Sequence, residues 1–244
     1  MSFLVPARRY DPGIVEMIDN PDADVGLLRD ELKSIRTINR VFGGFTAVRR
    51  GIGMLMDGTK NEEISILDLG TGSADLPVYL VQLGRRLKRK IYITAVDNHP
   101  RVIEVARERA KEYSEITIEA GNLLSLNYPP GAFDIVICSL TLHHFSREEA
   151  IQIIRSMNLL CRIGFLVNDL DRSRVAAWTT KCYTRLTTRN RMTLNDSYLS
   201  VLRGFTRDEV LDMAGAAGLQ NFGIHHQPFF RFILIGKHQS DVDL

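Results

Sequence analysis

Between residues 64 and 169, short apolar runs alternate with segments in which apolar positions recur every three or four residues. Such alternation predicts strand–helix–strand units, and therefore a parallel sheet with helices on both faces. We predict strands over residues 64–69, 91–96, 116–119, 133–139 and 164–169, and helices over residues 73–87, 100–113 and 147–160. Ligands of such a sheet bind at the carboxyl ends of its strands, where the strand order reverses.

The flanking segments have helical periodicity. Before residue 60, an apolar stripe beginning at Leu28 and a basic stripe that includes Arg36 and Arg40 follow different faces of one helix, which Gly43-Gly44 interrupts. We interpret the basic stripe as a solvated face. After residue 171, a basic amphipathic helix follows. It is predicted to be a surface helix packed on the core by Trp178, with contact to an anionic or lipid-like substrate or to a membrane surface left open.

The C-terminal part predicts a helix over residues 206–217 and an antiparallel pair of strands over residues 222–227 and 231–235. The whole pattern predicts an α/β fold with a doubly wound, mostly parallel, seven-stranded sheet. We expect an N-terminal helical cap over residues 1–60 and a catalytic domain over residues 61–244. A helical lid is expected over residues 171–205, after the fifth strand.

Composition narrows the class of protein. The 244 residues are 45% hydrophobic and 25% charged, which is typical of a globular protein and not of a disordered one. A net charge of +2 gives no sign of a nucleic-acid partner. The 3 cysteines form no CxxC pair, so no metal site is expected, and reduced thiols indicate a cytoplasmic location. No run approaches the roughly 20 apolar residues of a membrane span.

The strongest motif is the glycine-rich turn LDLGTGSAD at residues 67–75, which leaves a buried strand and enters a helix. Glycines let a ligand approach the backbone, and the helix N-terminus offers free N–H groups. In a dinucleotide-binding G-x-G-x-x-G/A motif that starts at Gly70, the third small position falls on Asp75, whose carboxylate would repel a pyrophosphate. Asp68, two residues before Gly70, suits a ligand with a cationic amino group.

Residues after the next two strands agree with a nucleoside ligand. Asp97 ends the second strand, where a carboxylate can accept hydrogen bonds from both ribose hydroxyls. Asn122 could bind an adenine edge and Leu123 could pack on the ring. The alternative for Asn122 is a turn residue beside glycine.

The runs LDLGTGSADLP, TAVDNHPRVIEVAR, GNLLSL and FDIVICSLTLHHFSREEAIQIIRSM resemble the motif series of class I S-adenosylmethionine-dependent methyltransferases. The resemblance covers about residues 61–170 and is closest to the ubiquinone and menaquinone branch. The later VNDLDRSR and SYLSVLRGFTRDEV resemble, more weakly, bacterial relatives found beside polyketide synthases. The motif departs from the family in having Ala74 for the third glycine and Asn122 for the usual aspartate.

The resemblance implies S-adenosylmethionine (SAM) as cofactor and S-adenosylhomocysteine (SAH) as product. It also implies individual contacts: Gly70, Thr71 and Gly72 at the methionine part, Asp68 at its amino group, Asp97 at the ribose, Asn98, Asn122 and Leu123 at the adenine, and Ser139 and Leu140 under the sulfonium. Arg36 or Arg40 of the cap could bind the cofactor carboxylate.

Two histidines follow the fourth strand. His143 or His144 could remove a phenol or enol proton from an acceptor, whereas the alternative is that they only shape the site. Asp169 is a candidate for substrate contact or a helix cap. His225 and His226 lie on a strand and point to opposite faces, so they are interpreted as structural.

The sequence thus predicts methyl transfer from SAM to a small, hydrophobic or aromatic acceptor, with oxygen favoured over carbon. The alternatives are a methyltransferase acting on RNA or protein, and a nucleotide-binding protein without methyl transfer. No nucleic-acid partner is expected, and membrane contact is limited to the basic helix of residues 171–191.

Overall fold

The sheet has seven strands, as the apolar runs predict. A computed structural model describes residues 4–11, 13, 16–20, 22–57, 59 and 61–238. The strands are β1 (Glu63–Leu69), β2 (Lys90–Asp97), β3 (Ile116–Ala120), β4 (Phe133–Ser139), β5 (Cys161–Leu170), β6 (Phe222–Gln227) and β7 (Arg231–Lys237). Their order is β3-β2-β1-β4-β5-β7-β6, and only β7 runs antiparallel to its neighbours. The order reverses between β1 and β4, so a ligand is expected at their carboxyl ends.

The described residues contain eight α-helices. They are α1 (Val25–Val41), α2 (Gly44–Leu55), α3 (Asp75–Arg86), α4 (Pro100–Ala110), α5 (Arg147–Leu160), α6 (Arg174–Thr187), α7 (Arg191–Arg203) and α8 (Arg207–Ala216). Ser146 begins α5 and Thr206 begins α8, each with a reciprocal capping box that satisfies free N–H groups of the first turn. Within the described residues, no helix is both long and apolar enough to cross a membrane.

Two apolar layers sandwich the sheet. On one face α5 and α8 pack against β1, β4 and β5, with Ile153, Met157 and Met213 fully buried. On the other face α2 and α3 pack against β1, β2 and β4, through residues such as Val48 and Leu80. Both faces of the central strands are covered, which explains why β4 is apolar along most of its length.

The segments that flank the sheet differ in part from their prediction. Helix α2 belongs to one of the two apolar layers, whereas α1 packs with α4 and with Met192 of α7. The predicted boundary between a cap (1–60) and a catalytic domain (61–244) stays a prediction. Residues 1–3, 12, 14, 15, 21, 58, 60 and 239–244 of those two ranges lie outside the described residues.

The predicted packing of Trp178 on the core is wrong. Its side chain is 66% exposed, and Leu186 on the same face is 88% exposed. Helix α6 instead buries its small side, Ala176 and Ala177, against α7, because close approach of two helices favours small residues. The periodicity of residues 175–186 identified an amphipathic helix but assigned the wrong face to the interior. Helix α7, which follows the cap residue Asn190, lies within the predicted helical lid but was not predicted as a separate helix.

Candidate active site

The glycine-rich turn crosses the carboxyl end of β1. The N–H groups of Gly70 and Thr71 both donate to the Val96 carbonyl of β2, at 2.9 and 3.0 Å. Gly70 has φ +71°, a left-handed conformation that side chains rarely adopt, and a Cβ there would overlap Thr141. The turn therefore needs glycine at this position for two independent reasons.

Asp68 is a buried acid with an unsatisfied oxygen. Its side chain is 2% exposed, and its Oδ2 atom has no hydrogen-bond partner among the described residues. Burial raises the pKa of Asp68 to about 7. A ligand ammonium beside Asp68 would supply both the missing donor and the missing counter-charge, so this position fits the amino group of an amino-acid-like ligand.

Asp97 is held with its carboxylate at the edge of the same cavity. Its Oδ2 accepts from the Gly72 N–H at 2.9 Å and its Oδ1 accepts from the His99 N–H at 3.1 Å. Burial raises the pKa of Asp97 relative to an ordinary aspartate. Because each carboxylate oxygen has a second lone pair, Asp97 can still accept hydrogen bonds from two ribose hydroxyls.

The residues predicted to contact an adenine lie together. Asn98, Asn122 and Leu123 line one cavity, and Leu123 is 5% exposed. The Oδ1 atom of Asn122 accepts from the Leu124 N–H at 2.9 Å, which is the turn role that the sequence left open. Its carbonyl oxygen has a second lone pair, so the turn role and ligand contact are compatible.

These residues surround two adjoining cavities of about 470 and 100 Å³. The larger cavity is lined by the residues predicted to contact a nucleoside, which are Asp97, Asn98, Asn122 and Leu123. The smaller cavity is lined by Asp68 and Ser139. Gly70, Gly72 and Leu140 line both. We refer to the two together as the cofactor cavity.

Neither Arg36 nor Arg40 of α1 is among the residues that line this cavity, but Arg36 lies beside one that is. Arg36 Nη1 lies 3.7 Å from Asp75 Oδ1, at the N-terminus of α3. Arg40 is exposed and is not among the residues that line the cofactor cavity. Asp75 lines it, and Arg109 Nη1 lies 3.1 Å from its carboxylate. The role predicted for Arg40 stays a prediction, and Arg36 is the nearer candidate for a ligand carboxylate.

A third cavity, of about 310 Å³, lies on the other side of Leu140. We refer to it as the acceptor cavity. Its walls are mainly apolar and aromatic, with contributions from Phe42, Tyr183 and Phe229. Leu140 has φ +55° and lines all three cavities, so the left-handed turn after β4 separates the two sites.

His143 and Asp169 form a buried pair on the wall of the acceptor cavity. His143 Nδ1 lies 2.7 Å from Asp169 Oδ1, and the two side chains are 3% and 1% exposed. Burial opposes ionisation of Asp169, yet the nearby His143 keeps its pKa below the ordinary value. A carboxylate can only accept, so the Nδ1 that faces Asp169 donates, and a tautomer with its proton on Nδ1 has Nε2 as an acceptor.

His144 faces the cofactor cavity instead. Its Nδ1 lies 2.9 Å from Asp19 Oδ2, and its Nε2 lies 3.9 Å from Glu16 Oε2. Burial disfavours the charged ring, but Glu16 and Asp19 outweigh it and raise the pKa of His144 to about 9. At neutral pH the ring is therefore a cation that ties the N-terminal segment to the site.

This ion pair predicts a pH-dependent stability. The folded pKa of about 9 exceeds the ordinary 6.5, so the stabilisation is complete below pH 6.5 and is lost as the pH rises through 9. We expect the free energy of unfolding to fall from pH 6.5 to pH 9 less steeply in His144→Gln than in the unmodified protein. Urea unfolding at the two pH values measures it, with His225→Gln as control. Equal slopes in all three proteins would contradict the assignment.

Glu16, His143 and His144 could together hold a metal, because one ligand atom from each lies within 4.8 Å of the others. Each already has protein partners: Ser200 donates to Glu16 at 2.8 Å, Asp169 binds His143, and Asp19 binds His144. The expectation of a metal-independent protein stays a prediction.

Comparison with known proteins agrees with this arrangement. Residues 66–164 match a family model described as a methyltransferase domain. An uncharacterized methyltransferase of Schizosaccharomyces pombe is 26% identical over 123 residues, 50% of this chain and 45% of that protein. The chain thus spans less than half the length of the curated relatives it matches.

Solved structures support the fold that the sequence predicts. "PigF with SAH" has a TM-score of 0.60 and 16% identity, covering 91% of this chain and 61% of that one. Magnesium protoporphyrin IX methyltransferase (ChlM) from Synechocystis PCC 6803 with bound SAH has a TM-score of 0.56 and 19% identity, covering 82% and 85%. The predicted class I methyltransferase fold is confirmed, whereas the closer likeness to the quinone branch stays a prediction.

Several residues of the site carried no sequence signal. Thr141 supports Gly70 from a turn that follows β4. Glu16 and Asp19 reach His144 from far along the chain, and Phe229 and Phe230 line the acceptor cavity from the turn before β7. Only the strict spacing of a motif reveals a site residue in a single sequence, and these residues belong to no motif.

Proposed function

We propose that this chain is a SAM-dependent methyltransferase for a small, apolar, aromatic acceptor, with oxygen favoured over carbon as the methylated atom. One observation carries the proposal: a cofactor cavity and an apolar acceptor cavity meet at Leu140. A cofactor in the first and an acceptor in the second would be separated by one residue, which is the proximity that group transfer requires.

The chain's residues fit the cofactor part by part. Asp68 would pair with the amino group, Asp97 with the ribose hydroxyls, and Leu123 with the adenine ring. The bound cofactor supplies a methyl group on a sulfonium, which is already activated for in-line displacement. The presence of SAH in the PigF and ChlM structures supports this choice over a dinucleotide.

His143 would act on the acceptor. Its Nε2 can accept a proton from a phenol or enol, and the Asp169 carboxylate would stabilise the imidazolium that forms. Asp169 also fixes the ring, since its Oδ2 accepts from the His143 backbone N–H at 3.2 Å. His144 is already cationic at neutral pH, so we assign it a positioning role and not that of the base.

The walls of the acceptor cavity would shield the bound reactants from water. Helices α1, α6 and α7 and the turn before β7 supply its walls. Arg8 ties the N-terminal segment to the residues around the site, because its guanidinium donates to the carbonyls of Arg203 and Phe145, both at 2.7 Å. A closed apolar site strengthens the electrostatic effect of the His143–Asp169 pair.

Ligand-dependent stability tests the proposal. We expect SAM and SAH to raise the melting temperature and NADH to leave it unchanged. A ligand at 100 times its Kd adds about 2.7 kcal/mol of stability. Tritiated SAM with 2-naphthol as acceptor then tests transfer. A shift with NADH alone would contradict the proposal in favour of a dinucleotide-binding protein.

A further inference from the structure

Arg231 is a buried cation on the wall of the acceptor cavity. It begins β7, directly after the turn that carries Phe229 and Phe230, and its side chain is 2% exposed. A guanidinium stays protonated, and although burial lowers the pKa of Arg231 to about 10, the group is charged at neutral pH. A charge at this depth normally has a paired counter-charge.

The described residues leave Arg231 largely unsatisfied. Its Nη2 donates to Asn39 Oδ1 at 2.9 Å, while its Nε and Nη1 have no hydrogen-bond partner. No carboxylate of the described residues forms an ion pair with it. The negative charge that acts on Arg231 is that of Asp169, which is already engaged with His143.

Arg172 shows which hydrogen-bond acceptors this chain supplies to a buried arginine that has a structural role. It is 5% exposed, and its guanidinium donates to both carboxylate oxygens of Glu209, at 3.0 and 2.7 Å. It also donates to the carbonyls of Pro6 and Gly204. Arg231 is buried as deeply with a single hydrogen bond, so its missing partners point to a ligand.

The acids that line the same cavity do not supply that partner. Glu16, Glu31 and Asp196 each accept hydrogen bonds from nearby donors. The pKa of Glu31 is raised by burial and also by the negative charges of Asp196 and Glu16. Burial lowers the pKa of Arg231, and Asp169 is the one acid among the described residues that acts against this shift. The acids on the wall of this cavity therefore have hydrogen-bond donors, whereas the guanidinium of Arg231 lacks acceptors. Ser197, another wall residue, also has a hydroxyl that finds no hydrogen-bond partner in the described part of the chain.

We propose that Arg231 binds an anionic group of the acceptor, so that the substrates of this site are aromatic or other apolar acids bearing a carboxylate. The aromatic rings of the preceding turn would pack on the apolar body of the substrate. Phe229 and Phe230 have φ +62° and +55°, and such strain in non-glycine residues is concentrated at ligand sites. The inference rests on the proposed function, because it deepens the role of the same cavity.

Matched probes that differ only in charge test this inference. We would measure binding of 1-naphthoate, 1-naphthamide and 1-naphthylmethylammonium by calorimetry, with and without SAH. A hydrogen bond to a charged group is stronger than one to a neutral group, so the acid should bind at least about tenfold more tightly than the amide, which corresponds to about 1.4 kcal/mol. The acid preference should fall to within about twofold in Arg231→Met.

A stability comparison separates ligand binding from a structural role. Arg231→Met removes an unpaired buried charge, so the melting temperature of the ligand-free protein should stay equal or rise. Arg172→Met removes a paired charge and leaves Glu209 without its counter-charge, so the melting temperature of this variant should fall. A lower melting temperature for Arg231→Met, comparable to that of Arg172→Met, would assign Arg231 a structural role and overturn the inference.

The remaining outcomes are also decisive. Equal binding of acid and amide, binding of neither, tighter binding of the ammonium probe, or an acid preference that survives Arg231→Met would each overturn the inference. The SAH titration is independent of these results. Failure of SAH to bind would count against the proposed function, whereas SAH binding without an acid preference would count against Arg231 alone.

Discussion

Replacing Gly70 by alanine is expected to weaken SAH binding about 100-fold, which corresponds to about 2.7 kcal/mol. Gly70 has φ +71°, and an L-residue in this conformation costs about 1–2 kcal/mol. The new Cβ would also overlap the side chain of Thr141, so the turn has to move away from its position over β1. Calorimetric titration with SAH measures the loss.

A second replacement separates the two causes. In Gly70→Ala/Thr141→Ala, the atoms of Thr141 nearest to the new Cβ are removed, so part of the affinity should return while the backbone strain remains. Gly215→Ala is the matched control, because a Cβ at this exposed helical glycine would meet no atom within 4 Å. Unchanged SAH affinity in Gly70→Ala would show that the turn does not hold the ligand.

The second large effect is expected at the His143–Asp169 pair. His143→Gln should lower kcat for phenol acceptors by roughly 10²- to 10⁴-fold, the usual contribution of a general base. The affinity for SAH should change little, because His143 lines the acceptor cavity and not the cofactor cavity. Asp169→Asn should act in the same direction, since an amide can donate and so favours the wrong tautomer of His143.

The acidity of the acceptor provides the decisive measurement. 4-Nitrophenol is already partly ionised near neutral pH and needs a base less than phenol does. The loss caused by His143→Gln should therefore be much smaller with 4-nitrophenol. His144→Gln serves as the control, because His144 lies on the cofactor side. An equal loss with both acceptors would indicate that His143 only shapes the cavity, and full activity of His143→Gln would exclude it as the base.

Local sequence determined the strands of the sheet and the motif residues at their carboxyl ends. The boundaries of β4 and α5 agree with their prediction residue for residue, because each is a continuous apolar or amphipathic run with clear end signals. Gly70, Asp68 and Asp97 are all found around one cavity, since the carboxyl ends of adjacent parallel strands meet at one edge of the sheet.

Tertiary structure decided which faces and which partners are used. The two adjacent histidines were equivalent in the sequence, and only the fold directs His143 to Asp169 and His144 to Asp19. Trp178 looked like a core anchor, but α7 offers α6 a surface that fits alanine.

The acceptor site depends most strongly on the tertiary structure. Its walls come from α1, α6, α7 and the turn before β7, which are distant in sequence and belong to no shared motif. Burial of Arg231 without a counter-charge is likewise invisible in the sequence, because a charge becomes unsatisfied only when the folded chain removes it from water. The sequence by itself therefore determined the sheet and the residues of the cofactor cavity, and the packing of distant segments decided the acceptor site.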